Sequence, residues 1–212
     1  MEYCMRIIEP SFVFEDDVNP KAIMEKIERA GRTCYKSEER ITDGSAERFI
    51  ASIVKRGHES VLEHASVTVR VICDRGVTHE IVRHRIAAYS QESTRYCNYS
   101  GDKYGNEITV IRPFFWNDDS EKFAIWTEAM EATEKAYNAL IASGATAQEA
   151  RSVLPNSLKT ELVMTMNIRE WRHFFKLRTP PAAHPQMREI AIPMLREFQR
   201  LLPSLFSDIV VE

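Results

Sequence analysis

Ala65-Ser66-Val67-Thr68-Val69-Arg70-Val71-Ile72-Cys73 alternates with a period of two. Val67, Val69, Val71 and Cys73 fall on one face, with Ser66, Thr68, Arg70 and Ile72 on the other, so the stretch reads as a half-buried strand. Its β-branched residues suit a pleated surface. A second long strand is expected at Lys159 to Met166, which contains the run TELVMTM. Shorter strands are expected at Met5 to Ile8, on a sheet edge, and at Glu107 to Ile111, stopped by Pro113. Around them the period changes to that of helices. Asn19-Pro20 is a helix start, with Asn at the cap and Pro in the first turn. Ala22, Ile23, Ile27 and Ala30 then recur at helical spacing until Gly31 breaks the pattern. Phe49, Ile50, Ile53 and Val54 stripe a helix over Ser45 to Arg56, with Gly57 as its C-terminal cap. Asp74-Arg75-Gly76 reads as a turn and Thr78 to Ala87 as a short polar helix.

Further helices are predicted at Asp118 to Ser143, with Phe123, Trp126, Met130, Thr133 and Tyr137 near one side, and at Thr146 to Leu154. Two more span Arg169 to Leu177 and Pro185 to Leu202. Strands and helices do not alternate regularly, which predicts an α+β fold, with a mixed or antiparallel sheet packed by helices, rather than a doubly wound sheet. The chain has 212 residues, about one and a half times the ~150-residue prior for a domain, and a single domain over 1–212 is expected.

Composition narrows the function. Lys and Arg number 28 against 31 Asp and Glu, a net charge of −3. A protein held to nucleic acid mainly by bulk charge should be basic, so that class loses ground. Apolar runs fall far short of the ~18 residues of a membrane span. Met1 to Pro10 carries Glu2, Arg6 and Glu9 and does not resemble a secretory leader, so a cytoplasmic location is expected. Cys4, Cys34, Cys73 and Cys97 are widely spaced, which predicts reduced thiols rather than disulfides or a Cys₄ zinc site. None of the 7 glycines forms a phosphate-cradling Gly-rich loop, so bound phosphate must be gripped by side chains.

The densest polar block is Arg83-His84-Arg85-Ile86-Ala87-Ala88-Tyr89-Ser90-Gln91-Glu92-Ser93-Thr94-Arg95-Tyr96. On a helix Glu80, Arg83, His84 and Ala87 share a face while Arg85 points elsewhere. The cations then converge on one group only if the ligand is large or lies between subunits. In an extended stretch Gln91, Ser93 and Arg95 align on one side. A hydroxyl and a planar guanidinium there suit a phosphate or carboxylate. A solvated charged helix end is the plainer alternative, but these arginines are interleaved with amides and hydroxyls rather than acids and lysines. A nucleic-acid-binding module using the Arg/Tyr stretch from Arg83 to Tyr99 is the second alternative.

His58-Glu59-Ser60-Val61-Leu62-Glu63-His64 is not H-E-x-x-H. Its histidines, six apart, would face different ways on a helix, so a hydrogen-bonded loop is expected there and no metal. Arg151, Asn167, Arg169 and Arg178 stand at predicted element ends, where functional groups gather. Arg178 alone reads as a C-terminal cation complementing its helix dipole. No Cys–His pair and no G-x-S-x-G occurs, so a bound cofactor, not a side-chain nucleophile, is expected to supply the reactive atom.

Arg83-His84-Arg85, Gln91, Ser93 and Arg95-Tyr96 resemble the signature R-H-R-x-x-S-x-x-x-x-S-x-R of the flavin-dependent thymidylate synthases. Gly57-His58-Glu59-Ser60 with Glu63-His64, Ala150-Arg151 with Leu154-Pro155, and Asn167, Arg169, Leu177-Arg178, His184 and Gln186 match in order and at similar spacing. The chain departs from the pattern at Ala88, where the signature has serine, and at Pro180-Pro181 between Arg178 and His184. The resemblance implies an α+β homotetramer with active sites shared between subunits. It implies FAD reduced by NADPH, and transfer of a methylene group from methylenetetrahydrofolate to dUMP, giving dTMP. By position, Ser60, Arg83, His84, Arg85, Gln91, Asn167, Ile168, Arg169 and His173 are implied FAD contacts. Glu80, Arg83, Gln91, Glu92, Ser93, Thr94, Arg95, Arg151 and Arg178 are implied dUMP contacts. Arg178 corresponds to the catalytic arginine that polarises the uracil ring.

Overall fold

The computed structural model describes residues 5–211, apart from the side chain of Asp102. Cys4 lies outside the described residues. Strand β1 (Arg6–Ile8) is followed by β2 (Ser11–Phe14), helix α1 (Pro20–Thr33) and α2 (Ser45–Arg56). A 3-10 turn at Glu59–His64 leads into β3 (Ser66–Asp74), α3 (Arg75–Ile81), β4 (Ala87–Gln91) and β5 (Thr109–Ile111). The long α4 (Glu121–Ala142) precedes α5 (Ala147–Ala150), a 3-10 turn at Arg151–Val153 and β6 (Lys159–Asn167). Helices α6 (Ile168–Arg178), α7 (Pro185–Leu201) and α8 (Pro203–Phe206) complete the order.

The strands form a four-stranded sheet in the order β2-β3-β6-β4 and a parallel pair β1-β5. The period-two reading of β3 is borne out: Val67, Val69, Val71 and Cys73 are all buried to 1% exposure or less. The chain divides into two compact units. One comprises the described part of Met1–Ser11 with Val71–Val82 and Ser90–Leu162, the other Phe12–Arg70, Arg83–Tyr89 and the described part of Val163–Glu212.

In the first unit, Met5, Tyr99, Ile108, Val110 and Leu158 pack with Trp126, Met130 and Tyr137 of α4. The buried stripe of α4 runs through Glu134, not Thr133 as its apolar pattern predicts. An acid is tolerated there because Glu134 Oε1 accepts from the Ile108 backbone N–H at 2.9 Å, and burial raises its pKa. In the second unit, Trp171 and Phe175 of α6 meet Phe198 of α7, and Phe175 meets Phe206 of α8, at ring separations of 4.9 Å (Trp171–Phe198) to 5.9 Å (Phe175–Phe206), with Phe174 edge-on to both Trp171 and Phe175. Each such side chain contributes about 1.5–3 kcal/mol by leaving water.

Three local expectations are corrected. Gly31 does not end α1, which continues to Thr33. A Cβ there would lie 2.6 Å from Phe49 Cζ of α2, so the missing side chain serves close packing of two helices. Asp74-Arg75-Gly76 is not a free turn. Asp74 ends β3 and caps α3, accepting from the Val77 N–H at 2.8 Å. Helix α3 therefore starts three residues earlier than expected and stops at Ile81, and Ala87–Gln91 is a strand.

Candidate active site

In the first unit the nucleotide-binding candidates are positioned from β4, α3 and the α5 region. Gln91, at the end of β4, donates from Nε2 to Thr78 Oγ1 at 3.1 Å and Thr160 Oγ1 at 3.3 Å, which fixes its amide. The chain then turns rather than staying extended, so Gln91, Ser93 and Arg95 do not line one strand face. Within the turn Ser93 Oγ accepts from the Arg95 N–H at 3.3 Å. Thr94 is buried, and its hydroxyl accepts from Arg151 Nη1 at 3.5 Å. Arg151 follows α5, whose start is a reciprocal capping box between Thr146 and Glu149. Arg95 Nε donates to Gln148 Oε1 at 2.8 Å, and its guanidinium lies 5.4 Å from the Tyr96 ring centre. The structure thus gathers Thr94, Arg95 and Arg151 beside Ser93, two exposed guanidiniums with two hydroxyls. That set matches the charge and donor needs of a phosphate monoester. Glu92 is committed inward, accepting from Tyr99 OH at 2.8 Å and Lys159 Nζ at 2.9 Å. Glu80, on α3, is half-buried.

In the second unit, helix α6 and its cap carry four of the flavin-binding candidates, Asn167, Ile168, Arg169 and His173. Asn167 caps it, accepting from the Glu170 N–H at 2.8 Å. Ile168 is fully buried, and its N–H donates to Ala65 O at 2.9 Å. Arg169 Nη1 pairs with Glu63 Oε1 at 2.5 Å. Asn167, Arg169, Glu170 and His173 line a cleft of about 360 Å³ with Glu59, Glu63, Ile86 and Lys176. A larger cleft, about 790 Å³, runs between α1 and α2 to Ser60 and His58, and is lined by Arg32, Arg40, Arg48 and Arg56. Of its lining, the motifs that carry the resemblance include only His58 and Ser60, although Arg48, Ser52 and Arg56 recur every fourth residue on α2. Arg83 and Arg85 are exposed on the segment before β4, not on a helix, so helical-face spacing does not relate them.

His84 differs from its two arginine neighbours. Its ring is buried, with Nδ1 2.9 Å from Glu170 Oε1 and Nε2 accepting from Arg178 Nε at 3.1 Å. Burial lowers its pKa and Arg178 adds to the lowering, against the raising effect of the Glu170 hydrogen bond. Among the described residues, His84, Glu170 and His173 form the group of three whose ligand atoms lie within 4.8 Å of one another. Both His84 nitrogens are already engaged and a guanidinium stands alongside, so the arrangement favours hydrogen bonding over a divalent cation. Cys73 is buried and desolvation pushes its thiol pKa far up, Cys97 is half-buried and Cys34 is exposed.

A family model described as thymidylate synthase complementing protein matches residues 19–204. The flavin-dependent thymidylate synthase of Geobacter sulfurreducens is 38% identical over 186 residues, covering 84% of this chain and 78% of that one. The protein of the same name from Pyrococcus furiosus is 39% identical over 171 residues, covering 80% and 69%. Among solved structures, the UMP/dUMP methylase PolB from Streptomyces cacaoi bound with 5-Br dUMP has the same fold, with a TM-score of 0.78, 22% identity and 96% coverage of both chains. The ordered motifs and the match over most of the chain agree, and the chain belongs to the flavin-dependent thymidylate synthase family.

Proposed function

We propose that this chain catalyses the reductive methylation of dUMP to dTMP, with methylenetetrahydrofolate as carbon donor and FAD, reduced by NADPH, as hydride source. The observation that carries the reading is the family match over residues 19–204. The side chains described above fit the two ligands. FAD brings two phosphates and dUMP one, and the chain offers exposed Arg83, Arg85, Arg95 and Arg151 together with the arginine-lined cleft that reaches Ser60. When bound, the flavin supplies the hydride.

Ser93, Thr94, Arg95 and Arg151 hold the nucleotide phosphate, and Gln91 presents a fixed amide. Glu80 and Glu92 shape the same pocket, Glu92 through its hydrogen bonds to Tyr99 and Lys159. Ser60, Arg83, Arg85, Asn167, Ile168, Arg169 and His173 hold the flavin, Ile168 through its backbone. Arg178 faces the uracil. Negative charge grows on that ring as its carbon becomes nucleophilic, and a guanidinium already charged and oriented stabilises it without gaining a proton. Such a donor is typically worth ~3–4 kcal/mol. Buried Cys73, its thiol pKa raised, cannot serve as a thiolate nucleophile at neutral pH. The active enzyme is a homotetramer with sites shared between subunits, located in the cytoplasm. A nucleic-acid-binding role for Arg83 to Tyr99 has no support from the relatives and runs against the net charge of −3.

The test is dTMP formation by the purified protein supplied with FAD, NADPH, methylenetetrahydrofolate and dUMP. Arg178→Ala should retain flavin absorbance and lose dTMP formation, and Arg178→Lys should rescue poorly because lysine lacks the planar fork. Near-normal turnover in Arg178→Ala, or a protein that stays colourless with FAD, refutes the assignment.

A further inference from the structure

We infer that Glu170 is a positioning residue: it fixes the tautomer of His84, and His84 in turn fixes the plane of the Arg178 guanidinium. This rests on the role proposed for Arg178. The directions of the two hydrogen bonds follow from donor chemistry alone. Arginine Nε carries a permanent hydrogen and cannot accept. At 3.1 Å from Arg178 Nε, His84 Nε2 must therefore be the acceptor. A neutral imidazole has one donor and one acceptor nitrogen, so the hydrogen resides on Nδ1 and is donated to Glu170 Oε1 at 2.9 Å. An imidazolium would set two N–H donors face to face.

Each member is held in place by something else. Glu170 is fixed by the Asn167 cap, and Glu170, Phe174 and Arg178 lie four residues apart on one face of α6. The His84 ring packs edge-on against Phe174 at 5.0 Å, and Tyr89 OH donates to the His84 carbonyl at 2.7 Å. His84 and Glu170 are 4% and 7% exposed, so water competes poorly for these bonds. Among the described residues, the titratable and charged groups facing the His84 ring are Glu170, Arg178 and His173, with Tyr89 on its carbonyl. Glu170 is acceptor-only when ionised and so admits just one tautomer, as an orienting carboxylate does for a working imidazole. Because the guanidinium is rigid and planar, a bond at Nε sets the direction of its other two nitrogens.

Histidine ¹⁵N resonances of the whole protein without substrate report the tautomer directly and need no turnover. At neutral pH the wild type should show His84 as neutral Nδ1–H. In Glu170→Gln, whose amide offers both a donor and an acceptor, the signal should move toward Nε2–H or a mixture. The carboxylate's attraction for an imidazolium is lost, so the His84 titration should move to lower pH, and the acid limb of kcat with it. In turnover, kcat should fall roughly 10- to 100-fold, the range for loss of a partner that orients an imidazole. The KM for dUMP should stay within about threefold. Wild-type His84 found as Nε2–H or as imidazolium overturns the inference without recourse to any variant. So does a Glu170→Gln enzyme with wild-type kcat and an unmoved acid limb. Wild type that binds no flavin and forms no dTMP overturns the functional reading, and with it the purpose of the chain of bonds.

Discussion

Arg172 offers a sharp test of how the second unit holds its C-terminal segment. It is 1% exposed on α6, and Nη1 and Nη2 each meet Asp208 at 2.7 Å. Nε reaches Glu59 Oε1 at 3.2 Å, and Nη1 also donates to the Leu205 carbonyl. Arg172→Met keeps much of the stem volume and deletes every donor. Breaking a fully buried pair costs about 3–5 kcal/mol. Here the partner side chains are 46% (Asp208) and 25% (Glu59) exposed and can rehydrate. A loss of about 2–3 kcal/mol is therefore expected, between the buried and exposed limits. Urea unfolding at fixed protein concentration reads it as a lower midpoint at unchanged slope. The pH arm has a definite sign. The hydrogen bond from Arg172 holds the Asp208 carboxyl below its usual range. A depressed carboxyl pKa stabilises the fold above the unfolded value of about 3.9, and that contribution fades as pH falls through the lower native value. The gap between wild type and Arg172→Met should be constant near neutrality and narrow below about pH 4. A variant within about 0.5 kcal/mol of wild type, the range of an ordinary surface change, or a gap that fails to narrow in acid, refutes the reasoning.

Gly31→Ala should destabilise by about 1 kcal/mol, overpacking of roughly 1–3 outweighing a helix-propensity gain of about 1. Thermal unfolding checks it, and Phe49→Leu in the same chain should relieve the loss. A thiol reagent at mildly alkaline pH should label exposed Cys34 rapidly and leave buried Cys73 untouched until the protein unfolds; quick labelling of Cys73 in the native state counts against its burial.

Elements with a strong period and clear caps were legible in the sequence. Helix α2 has the expected bounds Ser45–Arg56 and β3 the expected buried face, because each buries one face against a core and the pattern records that. Gly31 misled because glycine's local signal, a helix stop, is the same as its tertiary signal, a close approach. The segment from Arg75 to Gln91 misled because its structure is set from a distance. Asp74 caps α3, and β4 exists by pairing with β6. Residues 83–86 leave the helix, and His84 there reaches Glu170 and Arg178, which are 86 and 94 positions away. The candidate site was legible as a set of residue types, arginines among hydroxyls and amides. Glu170 was not, since a carboxylate in the first turn of a helix reads as favourable dipole chemistry until its partner is seen.

The most direct measurement is a crystal structure of the protein with FAD and dUMP bound. The nucleotide phosphate should lie against Ser93, Arg95 and Arg151, the flavin phosphates against arginines that include Arg83 or Arg85, and the Arg178 guanidinium against the uracil ring with His84 still between it and Glu170. Ligands seated elsewhere, with Arg95, Arg151 and Arg178 facing solvent in the complete assembly, would contradict the account.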